Sequence, residues 1–191
     1  KKVLFMIIQG QYLDTESSFG RFSSHKLARS VWSFCNSARI KKKFRKVLRK
    51  KIARKLRGPY DVVIEDLHFR LYPAENLCDR TIFSRSCFPE ADEHKALSEL
   101  VKPGMVFVDI GANIGISSLF FSTLENVKNV YSFEPVLDTY KQALMNFEMN
   151  PSEKLSSIKN IGLGKSTREE TFIYNKHFKG NTGVRGLLSD T

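Results

Sequence analysis

The chain has 191 residues, of which 41% are hydrophobic and 12% aromatic, and its formal net charge is +11. This composition is too apolar for a disordered protein, and the length is sufficient for one ordinary hydrophobic core. No apolar run approaches the roughly 18 residues that a membrane-spanning helix requires, so the sequence predicts no such helix.

The cysteines and histidines predict neither a disulfide framework nor a metal site. Cys35, Cys78 and Cys87 are odd in number and form no CxxC pair, and the four histidines show no HExxH or HxxxH spacing. We therefore expect no bound metal and a reducing, cytoplasmic compartment.

The positive charge is confined to the start of the chain. Residues 1–60 contain 17 Lys and Arg against two acids, a net charge of +15, whereas residues 61–191 have a net charge of −4. We predict a basic, mostly helical segment over residues 1–58, which is followed by a different kind of domain.

The densest basic stretch, residues 37–58, has the pattern of an amphipathic helix that ends at Gly58. The apolar positions that define one predicted stripe are Ile40, Phe44, Val47, Leu48, Ile52 and Leu56. Three interpretations stay open: a solvated helix whose stripe packs on the following domain, a helix lying on an anionic membrane surface, and a polyanion-binding helix. No specific nucleic-acid motif is present.

Residues 59–100 form a predicted lead-in to the main domain. The stretch 62–73 predicts two short strands joined at Glu65 and Asp66, and residues 81–88 predict a further extended piece. Residues 90–101 predict a helix with acidic residues in its first turn.

The stretch VFVDIGANIG, residues 106–115, predicts a strand, a glycine-containing turn and a helix. The continuous apolar run at 105–110 is typical of a parallel strand that is covered on both faces, and the helix is predicted over 115–124. At Gly111 and Gly115 a Cβ would obstruct either the required dihedral angles or a ligand lying against the backbone. The spacing DxGxxxG differs both from the GxGxxG of dinucleotide sites and from a P-loop.

A second strand is predicted at 130–133, and it ends at Glu134, about twenty residues after the glycine turn, where a carboxylate can bind a ribose diol. Asp109 at the end of the first strand would meet a cationic or hydroxyl-bearing ligand. Together these two acids and the glycine turn predict a nucleoside ligand. The elements predicted next are a helix at 137–150 with Leu137, Tyr140, Leu144 and Phe147 on one face, a strand at 157–161 and an extended run at 170–175.

These residues resemble the FkbM-type methyltransferases. The resemblance rests on VFVDIGANIG, VYSFEP, YKQALMNFEMN and NIGLG, with support from YPAEN at 72–76, VKPGMVFVD at 101–109 and GNTGVRG at 180–186. It covers about residues 60–191 and does not include the basic segment.

The resemblance implies an α/β fold, the Rossmann-like open sheet of class I methyltransferases, with S-adenosylmethionine as cofactor. It implies methyl transfer to an oxygen of a sugar, glycan or small metabolite. By analogy, the residues around the methionine and ribose are Asp109, Gly111, Ala112, Asn113 and Gly115. Glu134 would bind the ribose hydroxyls, while Pro135 and Val136 would lie near the adenine.

Residues 101–191 correspond to the N-terminal half of that domain. Family members continue into a strand with a motif close to IDVEG, and nothing similar occurs before Thr191. We therefore expect a chain truncated relative to this family, with weak cofactor binding and little turnover on its own, and we assign no catalytic base. The alternative is a protein that binds polyanions or membrane surfaces and has a degenerate nucleoside-binding domain.

Overall fold

The computed structural model describes residues 13–23, 26–37, 39–166, 172–173 and 183–184. Six helices and seven strands occur in these ranges. The helices are α1 Lys26–Asn36, α2 Lys42–Lys55, α3 Leu77–Arg85, α4 Ala91–Ser98, α5 Ile116–Thr123 and α6 Leu137–Glu148. The strands are β1 Tyr60–Ile64, β2 Leu67–Leu71, β3 Met105–Ile110, β4 Val127–Phe133, β5 Leu155–Lys159, β6 Phe172–Ile173 and β7 Gly183–Val184.

The strands form three separate sheets. β1 and β2 are an antiparallel hairpin whose turn lies at Glu65 and Asp66, as predicted. β3, β4 and β5 form a parallel sheet in that order, connected through α5 and α6. The α/β class is confirmed, and this strand–helix alternation is that of half of a Rossmann-like sheet.

The predicted extended run at 170–175 is a strand at Phe172–Ile173, which pairs with Gly183–Val184 of the GNTGVRG stretch. The other residues of both stretches lie outside the described residues. Among the described helices, none combines the length and apolar character needed to cross a bilayer.

One hydrophobic core joins the hairpin to the parallel sheet. It includes Trp32 of α1, Phe69 of β2, Phe83 of α3, Leu119 of α5 and Phe147 of α6. Because each of these side chains is at least nine-tenths buried, the helices before and after β3 exclude water from the same interior.

The apolar stripe predicted for the basic helix is split between two faces, so the single stripe was wrong. Ile52 and Leu56 pack against the core, and the indole Nε1 of Trp32 donates to the carbonyl of Leu56 at 3.0 Å. Phe44 and Val47, however, are 67% and 53% exposed. The helix is also shorter than predicted and ends at Lys55.

The extended piece predicted at 81–88 is wrong, because most of that stretch belongs to α3. The side chain of Asn76 accepts a hydrogen bond from the backbone N–H of Cys78 at 2.9 Å and thereby caps the helix. Ile82 and Phe83 then lie on its buried side. The β-branched and aromatic residues that favoured a strand are therefore explained by core packing.

Three side-chain amides, two on α6 and one two residues after its end, connect this part of the chain to the free edge of β2; we call Gln142, Asn146 and Asn150 the amide row. Asn150 accepts from the backbone N–H of His68 and donates to its carbonyl, both at 2.7 Å. Asn146 accepts from the N–H of Arg70 at 3.1 Å, and Gln142 donates to the carbonyl of Arg70 at 3.1 Å. Asn146 and Asn150 are four residues apart, which is about one helical turn, and their partners Arg70 and His68 are two residues apart on the strand edge. The two spacings therefore match.

The inward face of α6 therefore differs from the predicted one. Phe147 is buried as expected, but Leu137 and Leu144 are exposed. Gln142 and Asn146 take the inward positions because the edge of β2 offers backbone groups that must be hydrogen-bonded when buried.

Among the described residues, the parallel sheet is covered on one face, which corrects the prediction that β3 is buried on both. Val106, Val108 and Ile110 are 49–66% exposed, whereas Phe107 stacks on Phe121 of α5 with ring centroids 4.0 Å apart. In the described part of the chain, β3 pairs with β4 alone and forms one edge of the sheet.

We predict that Asn146→Ala lowers the free energy of unfolding by about 2–4 kcal/mol, because it leaves the N–H of Arg70 and the carbonyl of Ile114 buried without partners. Urea denaturation measures this change. Lys141→Ala, on the exposed side of the same helix, is the control and should change stability by no more than about 0.5 kcal/mol. Equal effects of the two substitutions would contradict a structural role for the amide row.

Candidate functional site

The loop after β3 is shaped by hydrogen bonds to the neighbouring strand; we call residues 111–115 the glycine loop. The backbone N–H groups of Gly111 and Ala112 both donate to the carbonyl of Phe133, at 2.9 and 3.0 Å. Gly111 and Gly115 each have φ of +87°, a conformation that side-chain-bearing residues rarely adopt. The loop therefore lies directly beside the end of β4.

Glu134, the residue after β4, holds the middle of the glycine loop. Its Oε2 accepts from the N–H of Asn113 at 2.9 Å, and its Oε1 accepts from the N–H of Val136 at 2.8 Å. The side chain is buried, with 6% of the residue exposed. Burial raises the pKa of Glu134 above its ordinary value, and the two backbone donors oppose that shift. Each carboxylate oxygen keeps a second lone pair for another donor.

Asp109, the second-last residue of β3, holds the start of α5. Its Oδ2 accepts from the hydroxyl of Ser118 at 2.6 Å, and that hydroxyl lies 2.7 Å from the hydroxyl of Ser132 on β4. Burial raises the pKa of Asp109, whereas hydrogen bonds from the hydroxyl and the backbone N–H of Ser118 lower it. A carboxylate at this helix N-terminus also suits the helix dipole.

Asp109 acts electrostatically on Glu134. The negative charge of Asp109 is one of the causes that raise the pKa of Glu134. Asp109 lies near the end of β3 and Glu134 directly follows β4, so both acids are at the carboxyl edge of the sheet on adjacent parallel strands. A ligand between them would experience two negative charges in partly buried surroundings. This arrangement favours a cation that also carries hydroxyl donors.

Asn76 is a site residue that the spacing argument did not single out. It is 1% exposed, and its Nδ2 donates to the Oδ1 of Asn113 at 3.3 Å. Asn113 itself has φ of +51°, which Asn tolerates better than most residues. Asn76 thus connects the cap of α3 to the glycine loop, and the sequence signal was its place in the YPAEN stretch.

His94 of α4 is a second residue that the motifs did not indicate. Its Nε2 lies 2.9 Å from the hydroxyl of Ser117, and its ring stacks on Phe120 with centroids 4.7 Å apart. Burial lowers the pKa of His94, while the charges of Glu65, Glu93 and Asp109 raise it, so the ring is neutral at pH 7. Its 3% exposure indicates a role in packing rather than in contact with a ligand.

Glycine occupies positions 111 and 115 of the loop for different physical reasons. A Cβ added at Gly115 would lie 2.5 Å from a ring carbon of Phe147, so packing alone requires glycine there. A Cβ added at Gly111 would meet nothing within 4 Å. Only Gly111 therefore borders open space in which a ligand can approach the backbone.

The predicted site residues come together at the carboxyl edge of the parallel sheet. They are Asp109, Gly111, Ala112, Asn113, Gly115, Glu134 and Pro135. The carbonyl of Pro135 accepts from the Nδ2 of Asn160 at 3.1 Å, which fixes the chain after β4. The roles of the seven predicted site residues in cofactor binding stay predictions.

Comparisons with known proteins give distant likenesses. No family model matches the chain. A curated relative, the AMB antimetabolite synthetase AmbE of Pseudomonas aeruginosa, is 29% identical over 85 residues, which are 44% of this chain and 4% of AmbE. The chain thus spans a small part of the length of the curated relative that it matches.

Two solved structures are similar to part of the chain. The crystal structure of the "putative transferase PH0793" from Pyrococcus horikoshii has a TM-score of 0.43 and 22% identity, and covers 54% of this chain and 36% of its own. The crystal structure of M. jannaschii TYW2 in complex with AdoMet has a TM-score of 0.40 and 19% identity. The match covers 52% of this chain and 41% of the TYW2 chain. At these TM-scores the two likenesses carry no argument about function.

We predict that Gly115→Ala destabilises the chain more than Gly111→Ala. Both substitutions impose a left-handed conformation on alanine, at about 1–2 kcal/mol, but only the first also brings a Cβ against Phe147, which adds about 1–3 kcal/mol. Urea denaturation of both variants gives the difference. Adding Phe147→Leu to Gly115→Ala should recover part of the loss, and equal stabilities of the two single variants would refute the packing explanation.

Proposed function

We propose that the chain is part of a methyltransferase that binds S-adenosylmethionine at the carboxyl edge of the parallel sheet. The observation that carries the proposal is the pair Asp109 and Glu134, two largely buried carboxylates at the carboxyl ends of neighbouring strands on either side of the glycine loop. S-adenosylmethionine offers the complementary groups: an ammonium, a sulfonium and a ribose diol.

The residues of this chain would bind and orient the cofactor. The unused lone pairs of Glu134 suit the two ribose hydroxyls, and Asp109 suits the ammonium or a hydroxyl group. The open space at Gly111 lets the ligand lie against the backbone. Ala112, Asn113 and Pro135 would complete the surroundings of the nucleoside, and Gly115 would contribute through the conformation of the loop, because its open side faces Phe147.

The bound cofactor supplies an activated methyl group, because its sulfonium sulfur takes the electron pair of the S–CH₃ bond and leaves as a neutral thioether. The protein then has to align an acceptor with the S–CH₃ bond and assist loss of the acceptor's proton. Membership of the FkbM-type family and transfer to an oxygen of a sugar, glycan or small metabolite are part of this proposal, with support from the motifs at 106–115 and 130–135. We assign no catalytic base.

The state of the cysteines supports a cytoplasmic location as a further part of the proposal. Cys35, Cys78 and Cys87 are all free, and Cys87 is exposed. Unpaired exposed thiols persist in reducing compartments.

We predict that S-adenosylmethionine binds the chain and NAD does not, because the loop lacks the GxGxxG spacing of dinucleotide sites. Saturation-transfer NMR, which detects weak binding, measures this with each ligand. Glu134→Gln should weaken binding about 10-fold or more through loss of a charged acceptor. The control is Glu148→Gln on the exposed side of α6. A folded chain that binds neither ligand, or binds NAD equally well, would overturn the proposal.

We predict that affinity for S-adenosylmethionine falls as the pH is lowered from about 7 toward 4, a range below the pKa of an α-amino group. Because the pKa of Asp109 and that of Glu134 are raised, protonation removes their attraction for a cation at a higher pH than for exposed acids. The same shifts mean that protonation of these two groups favours the folded state, so their titration does not unfold the chain. Binding titrations across this range test the prediction, and Asp109→Asn should flatten the profile.

A further inference from the structure

The outer face of α2 combines cations with exposed apolar side chains; we define it as Lys43, Phe44, Val47, Lys50, Lys51 and Arg54. Lys43, Val47, Lys50 and Arg54 follow the spacing of one helical face, and all six residues are exposed. Val47 lies in the middle of the face, with cations on both sides. Ile52 and Leu56 attach α2 to the core on its opposite side, so the outer face takes no part in that contact.

The charge of this face is not neutralised by the rest of the described chain. The sequence contains no Asp or Glu between Glu16 and Asp61. The ion pairs within the described ranges include Arg57 with Glu75, beyond the end of the helix, and none that involves the outer face. The face therefore presents an uncompensated positive field to a partner.

Exposed apolar side chains continue at the connection between α1 and α2. Phe34 is 65% exposed and lies two residues before the end of α1, while Phe44 lies two residues after the start of α2. Both aromatic rings thus flank the short connection, which itself contains Arg39 and Lys41. Apolar and cationic groups are mixed at this end of the helix pair.

We propose that the outer face of α2 and the adjoining Phe34 dock on the surface of an anionic lipid bilayer. The cations are attracted to anionic headgroups, and the exposed phenylalanines and Val47 enter the boundary between headgroups and acyl chains. A polyanion such as RNA would also attract the cations, but it gives no account of the aliphatic Val47 at the centre of the face. The inference is independent of the proposed methyltransferase activity.

Co-sedimentation with vesicles tests the proposal. The chain should bind vesicles of 70% phosphatidylcholine and 30% phosphatidylserine, bind pure phosphatidylcholine vesicles far more weakly, and lose affinity as salt is raised. Lys43→Gln with Lys50→Gln should weaken binding about fivefold for each cation removed. The matched control is Lys102→Gln with Lys141→Gln, two exposed cations outside α2, which should leave binding within about twofold.

A second pair of variants separates insertion from charge attraction. Phe44→Ser with Val47→Ser leaves every charge in place and removes two exposed side chains, so circular dichroism should show an intact fold while vesicle binding falls at least 10-fold. Unchanged vesicle binding by this pair would overturn the proposal. Tighter binding to single-stranded RNA than to the anionic vesicles would overturn it in favour of a nucleic-acid partner.

Discussion

The hydrogen-bonding groups at the free edge of β2 fix the positions of α6 and of the glycine loop. The hairpin leaves the backbone of His68 and Arg70 unpaired on one side, and buried backbone groups must find partners. The amide row provides them and thereby fixes the position of α6. Because Asn146 also donates to the carbonyl of Ile114 at 2.9 Å, the same side chain fixes the position of the glycine loop relative to the hairpin.

The two acids of the candidate site have structural and proposed binding roles at once. Glu134 holds the N–H of Asn113, and Asp109 holds the hydroxyl of Ser118. These hydrogen bonds within the chain shape the loop, which reduces the ordering that binding of a ligand would require. It also means that a variant at either acid changes both loop geometry and charge, so conservative amide substitutions and exposed controls are necessary to separate the two.

The sequence predicted the path from β3 to β5 well because its signals are local. A run of apolar residues, the glycine turn and the acid at 134 each depend on a few neighbouring residues, and the observed bounds lie within three residues of the predicted ones. The predicted secondary structure or buried face was wrong where it depends on contacts with residues distant in the sequence. The sequence of 81–88 predicts an extended piece, whereas the cap at Asn76 starts a helix that includes most of it. The predicted inward face of α6 is wrong because Gln142 and Asn146 are paired with a strand some seventy residues earlier. The split of the stripe on α2, with Phe44 outward, likewise depends on where the domain offers apolar surface.

The long sequence separation of the amide row has a consequence for the order of folding. The β1–β2 hairpin is closed by neighbours and forms on the microsecond scale, about 1–10 μs. The bond from Arg70 to Asn146 closes a separation of 76 residues, and that from His68 to Asn150 a separation of 82; such contacts form late because loop closure opposes them. We expect α6 to dock last, so the glycine loop reaches its final geometry at the end of folding. In the native state, local detachment of α6 would release the loop and the edge of β2 together, and the backbone amides of Arg70 and Asn113 would exchange with solvent as one unit.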